Sequence, residues 1–147
     1  MIAIPHWHPM FVHFTIGLLI GGALFLLLSN HLAVEQWRLP LRHSGLLTLA
    51  LGFIATIATV ISGWVAFYTV ETTPESYLAM KDHMTWAMLT LITFFAGVLY
   101  GLYRYAAGRS SLGAPLSPFL IALCIILIVT AYKGGRLVFH FGLGIAQ

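Results

Sequence analysis

A chain of 147 residues that is 60% hydrophobic and 7% charged, with a mean hydropathy of +0.94, has the composition of a membrane protein and not of a soluble domain. The formal charge of +3 and pI near 9.3 do not mark a nucleic-acid binder, because Lys and Arg are scattered at the ends of apolar runs rather than gathered into a stripe. The length fits one domain over residues 1–147 with no separate soluble module, and the sole cysteine, Cys124, inside an apolar run, excludes an intrachain disulfide and any paired-cysteine zinc or redox motif.

The first apolar run, about Pro9–Ser29, follows MIAIPHWHPM, which lacks a basic n-region, and ends in Ser29-Asn30 without a small-x-small cleavage site. A retained membrane anchor is therefore expected. A connection over His31–Arg42, containing Pro40, leads to the second run, His43–Val70. The most polar stretch, ETTPESYLAMKD over Glu71–Asp82, predicts a break at Pro74 before the third run, His83–Tyr105. Gly108, Arg109, Ser110, Ser111 and Gly113 then predict a turn ahead of the fourth run, Leu116–Tyr132. Past Lys133-Gly134-Gly135-Arg136, the LVFHFGLG tail is too brief to cross again and reads as re-entrant or interfacial.

A membrane helix needs roughly 17–25 apolar residues, and all four runs meet that length. Lipid offers no partner to backbone amides, so the predicted fold is an all-α transmembrane four-helix bundle. An even number of spans puts both termini on one side together with the Glu71–Asp82 loop. The opposite side carries Arg38, Arg42, Arg104 and Arg109 against Lys81, Lys133 and Arg136, a slight bias that makes it cytoplasmic. The termini are then on the outer side of the membrane. Gly17 with Gly21, Gly97 with Gly101, and Ser62-Gly63 predict close helix packing, or room for a flat macrocycle.

Topology sorts the histidines. His6, His8 and His13 fall at the start of the first helix, His83 at the start of the third and His140 beyond the fourth, all at one level; His31 and His43 fall at the other end. A lone histidine there is usually an interfacial residue bonded to backbone or water. Imidazoles delivered to one depth by three separate elements point instead to a metal or haem site built from His8, His13, His83 and His140, since neutral imidazole is the commonest protein metal ligand. His6 reads as a solvated terminus, and His31 and His43 as interfacial polar residues. Asp82 could orient the His83 ring, and Arg136 and Lys133 could neutralise haem propionates or simply set topology. Trp7, Trp64, Trp86, Tyr68, Tyr77 and Tyr132 form an interfacial belt that could also border a quinone pocket. No run contains a carboxylate, which argues against a proton-relay transporter, and no phosphate loop or nucleophile elbow is present.

HPMFVHF at the start, His83 at the head of the third helix and TAYKGGRLVFHFGLGI at the end resemble a bacterial family of four-helix membrane proteins catalogued as domain of unknown function 2231. Its members typically read HP-x-x-VHFP-I-x-L and GG-x-LV-x-x-HG-x-G-V, and the resemblance spans the whole chain. Thr15 stands where the family usually has proline, Phe141 separates His140 from Gly142, and Arg136 takes a place often acidic. The resemblance implies a redox-associated membrane protein, because the domain also occurs joined to cytochrome c-like or iron-sulfur modules.

Three functions stay open at this point. The leading one is a b-type cytochrome carrying one or two haems near the periplasmic face, exchanging electrons between quinol and a periplasmic cytochrome or serving in a larger redox complex. As an enzyme it would be a quinol-linked oxidoreductase subunit. The others are a non-haem copper, zinc or iron protein on the same histidines and a cofactor-free accessory subunit. His13→Ala and His83→Ala are expected to abolish cofactor binding, and His31→Ala is not.

Overall fold

A computed structural model describes residues 7–32, 34–109, 113 and 115–143. Among them are four helices, α1 (Trp7–His31), α2 (Glu35–Thr69), α3 (Pro74–Ala106) and α4 (Leu116–Phe139), each long and apolar enough to cross a membrane. α1 packs most extensively on α2 and α3 on α4, while smaller α2–α3 and α1–α4 contacts close the ring. The fold is the predicted all-α four-helix bundle. Large side chains such as Met10, Phe14, Ile54 and Ile92 stay exposed on its outside, where lipid replaces water as their surroundings.

The helices are longer than the apolar runs. Pro40 lies inside α2, not in a connection. In the second turn a missing N–H forfeits a single intrahelical bond, and the helix continues through it. Pro74 begins α3 instead of merely breaking the chain. Thr73 caps the helix by accepting from the Ser76 amide at 3.2 Å, the Ser76 hydroxyl accepts from the Thr73 amide at 2.9 Å, and proline at the first position gives up an amide that had no helical partner. α3 ends in a Schellman turn: Gly108 adopts φ +63°, its amide donates to Tyr105 and that of Arg109 to Arg104. α4 runs on through Gly134-Gly135 to Phe139, so the expected re-entrant tail is helical up to that point, and the residues beyond 143 lie outside the described set.

Packing is concentrated in one half of the bundle. Leu19, Leu26, Leu49, Phe94, Leu120 and Leu123 are buried there. The close approach of α1 and α2 is made by Gly22, Gly45 and Gly52, not by Gly17 and Gly21. A Cβ on Gly22 would sit 2.7 Å from the Leu49 backbone nitrogen, whereas one on Gly17 would meet nothing within 4 Å. Gly97 faces Leu123 of α4, and Gly101 faces Leu46 of α2. Gly22→Ala should therefore lower stability by about 1–3 kcal/mol, and Gly17→Ala should leave it unchanged or raise it by about 0.5–1 kcal/mol through helix propensity. Thermal denaturation of the two variants in detergent checks the difference.

Candidate cofactor site

In the other half the two hairpins separate around a cavity of about 510 Å³, within the roughly 300–1,000 Å³ of small-molecule and cofactor sites. Its wall is overwhelmingly apolar and draws on all four helices. Pro9 from the start of α1 and Leu143 from beyond α4 both line it, so the two ends of the described chain meet at this end of the bundle.

His8 and His83 line the cavity from different hairpins, and the two rings are near enough for charge on one to act on the other. The Nδ1 of His8 lies 3.1 Å from the Thr59 carbonyl oxygen and 3.1 Å from the Ser62 hydroxyl. The Nδ1 of His83 lies 3.1 Å from the Thr130 carbonyl oxygen. A carbonyl only accepts, so each Nδ1 carries the proton and donates it. In the neutral ring, Nε2 then holds the available lone pair. This is the arrangement by which metal-binding histidines are oriented and made better donors.

Glycine makes these bonds sterically possible. In a helix, the side chain of residue j+4 leans back over the turn before it and covers the carbonyl of residue j. Gly63 and Gly134 stand four residues after Thr59 and Thr130, and a Cβ on them would meet the Cε1 of His8 at 2.8 Å and of His83 at 2.9 Å. Gly63, expected to pack helices or clear a macrocycle, thus makes room for an imidazole, and so does Gly134.

Beneath the histidines lies a threonine floor, again built twice. The hydroxyls of Thr15 and Thr59 are 2.8 Å apart, and so are those of Thr90 and Thr130. Each hairpin therefore carries the same constellation: histidine at i and threonine at i+7 on its first helix, threonine at j and glycine at j+4 on its second. The hairpins differ at j+3. Ser62 adds a bond to His8, whereas Lys133 forms an ion pair with Asp82 and lies over the Trp86 ring, 5.6 Å from its centroid.

The remaining candidate ligands are placed differently. His13 lines the cavity but is exposed, with its Nδ1 2.6 Å from the Pro9 carbonyl one turn back. His140 caps α4, exposed against Phe141, and neither it nor Arg136 lines the cavity. Asp82 pairs with Lys133; the Nδ1 of His83 is held instead by the Thr130 carbonyl. His31 bonds the Ser117 hydroxyl at 2.8 Å at the far end of the bundle, and His43 stacks edge-on against Tyr105. His6 lies outside the described residues. Among those residues no group of three or more His, Cys, Asp or Glu is placed to hold a metal ion.

The family described as "Predicted membrane protein (DUF2231)" matches residues 5–147, nearly the whole chain. The chain belongs to that family. No curated protein and no solved structure matches it. Within this DUF2231 chain, the opening HPMFVHF supplies His8, and the closing KGGRLVFH supplies Gly134. Its terminal motifs thus contribute to opposite sides of a single cavity.

Proposed function

We propose that this protein binds haem b, which His8 and His83 would hold through Nε2, in the bacterial inner membrane, as a cytochrome-like electron carrier or the haem subunit of a larger redox complex. One observation carries the reading: two imidazoles from different hairpins line the same apolar cavity, each with Nδ1 committed to a main-chain carbonyl. The residues fit the group. Haem iron takes imidazole ligands and comes with its own macrocycle nitrogens, so two histidines would suffice to hold it. A bare copper, zinc or iron ion ordinarily needs three or four protein donors, and no such set converges among the described residues.

When bound, haem supplies one-electron chemistry at its iron, tuned by its ligands and their surroundings. The Thr59 and Thr130 carbonyls hold the rings in orientation and keep electron density on Nε2. The wall, with Val60, Phe67, Met84 and Leu127, excludes water. Ser62 beside His8 and the Asp82–Lys133 pair near His83 make the two ligands unequal. The cavity lies at the end where the described chain begins and finishes, Pro9 and Leu143 both lining it, the periplasmic end by the arginine bias. Electrons would pass there from membrane quinol to a periplasmic cytochrome or a partner subunit.

The test is a reduced-minus-oxidised spectrum of protein purified from membranes, with metal analysis on the same sample. Bands of low-spin haem b at one haem per chain are expected. Colourless, metal-free protein, or stoichiometric metal without haem, overturns the reading.

A further inference from the structure

The end of the bundle away from the cavity holds a buried charge without a counter-ion. Arg42, two turns into α2, is only 7% exposed. One Nη1 hydrogen goes to the Arg109 carbonyl, and the guanidinium lies over the Tyr105 ring, 5.7 Å from its centroid. Its Nε and Nη2 are sealed from water and have no acceptor among the described residues. A guanidinium in that state is costly, because desolvation is offset only when charge and hydrogen-bonding capacity are both met.

The chain does not supply the missing charge. Of its four acidic residues, Glu71, Glu75 and Asp82 belong to the cavity end, and Glu35 is exposed in the first turn of α2. The ion pair between Lys133 and Asp82 is at the cavity end as well. Around Arg42 the charges are of the same sign: Arg104, half-buried in the last turn of α3, is near enough to act on it electrostatically, and Arg38 and Arg109 are exposed. This concentrates positive potential where the helices leave the hydrocarbon layer.

The geometry points to a phosphate-binding site at this end, with the Arg42 fork as its base and Arg104 and Arg109 at its mouth. Phosphate oxygens match the guanidinium fork with two parallel charge-assisted hydrogen bonds and carry the charge the chain lacks. The Tyr105 ring, itself exposed, and the Arg109 carbonyl lie against Arg42, and both would have to shift to admit the anion. The phosphate belongs either to an anionic phospholipid headgroup, which occupies this depth of the membrane, or to a free phosphate. The site is independent of the histidine cavity.

The full chain, as purified, is placed in nanodiscs of phosphatidylcholine alone or with phosphatidylglycerol, and separately in neutral detergent with inorganic phosphate. Phosphatidylglycerol should raise the melting temperature by about 3 °C or more. Arg42→Met should lose that rise, and Arg38→Met should keep it. In phosphatidylcholine Arg42→Met should melt no lower than the native chain, because an apolar side chain of similar length removes an unpaired charge. Arg42→Lys, which keeps the charge and loses the fork, should retain only part of the rise, and it serves as the test should Arg42→Met fail to fold. An Arg42-dependent rise confined to phosphatidylglycerol assigns a headgroup, and one produced by inorganic phosphate in detergent assigns a free phosphate. No rise with either probe, or equal rises in the native chain and Arg42→Met, overturns the site.

Discussion

His8→Ala and His83→Ala are each expected to strip the protein of haem, while His31→Ala keeps the full spectrum. Removing either imidazole would leave haem with one of the two proposed ligands, and His13, which also lines the cavity, is exposed and bonded back to the Pro9 carbonyl of its own helix. The lost ring also orphans the carbonyl oxygen of Thr59 or Thr130, but each already sits in a helix with a second lone pair engaged, so the fold itself should survive. Helical circular dichroism should accordingly match the native chain while the haem bands vanish. External imidazole, which supplies a nitrogen donor to the space left by the ring, should restore part of the signal in His83→Ala. His13→Ala tests the assignment within the first helix. His13 is bonded to its own helix and exposed, so its loss should leave haem in place, in contrast to what the sequence motif alone suggests. Retention of native haem content by His8→Ala or His83→Ala would remove the basis for assigning that histidine to haem.

What could be read from the sequence follows from what lipid forbids. Backbone amides in hydrocarbon must be satisfied within the segment, so four long apolar runs dictate four helices. The ends of those helices depend on subtler terms. Pro74 reads as a breaker, yet at the first position of α3 it costs no hydrogen bond. Gly134-Gly135 reads as a stop, yet Gly134 stays helical where His83 packs against it. The GxxxG pattern on the first helix gives a spacing but not a face: one residue is about 100° of rotation, enough to leave Gly21 at the edge of the contact, where a Cβ would lie 4.0 Å from Thr48, and to bring Gly22 hard against Leu49 of α2.

The histidine site was legible in depth but not in direction. Alternating spans place His8, His13 and His83 at one level, and all three line the cavity. Which ring nitrogen keeps a free lone pair is fixed by the carbonyls of Thr59 and Thr130, which lie in other helices far along the chain. No local pattern around a histidine reports that. The signal that could have found these partners is the internal repeat, His8-x6-Thr15 with Thr59-x3-Gly63 and His83-x6-Thr90 with Thr130-x3-Gly134, although Thr48-x3-Gly52 and Thr93-x3-Gly97 share the second spacing. It is sparse because most other positions face lipid or neighbouring helices, where many apolar residues serve equally well.

That repeat makes the second large prediction. Gly63→Ala and Gly134→Ala should cost most of the haem without touching a ligand. The added methyl would lie 2.8 Å from the Cε1 of His8 or 2.9 Å from the Cε1 of His83, closer than Cβ atoms pack. Because the imidazole is the more mobile partner, the ring swings off the carbonyl instead of the helix bending. Nδ1 then loses its acceptor, and Nε2 loses the direction in which it meets the iron. Helix propensity pulls the other way, since alanine is favoured over glycine by roughly 0.8–1.0 kcal/mol in a helix interior. The two effects therefore separate in the measurements. The apo variants should melt at or above the native apoprotein, while haem content falls by roughly tenfold or more, about 1.4 kcal/mol of binding. Gly135→Ala is the control: one residue along α4, its Cβ would meet only Phe139 at 4.0 Å, and its haem content should be native. If Gly63→Ala and Gly134→Ala bound haem as the native chain does, the imidazoles would have no need of the space the glycines leave, and the carbonyl-anchored geometry would not be the binding geometry.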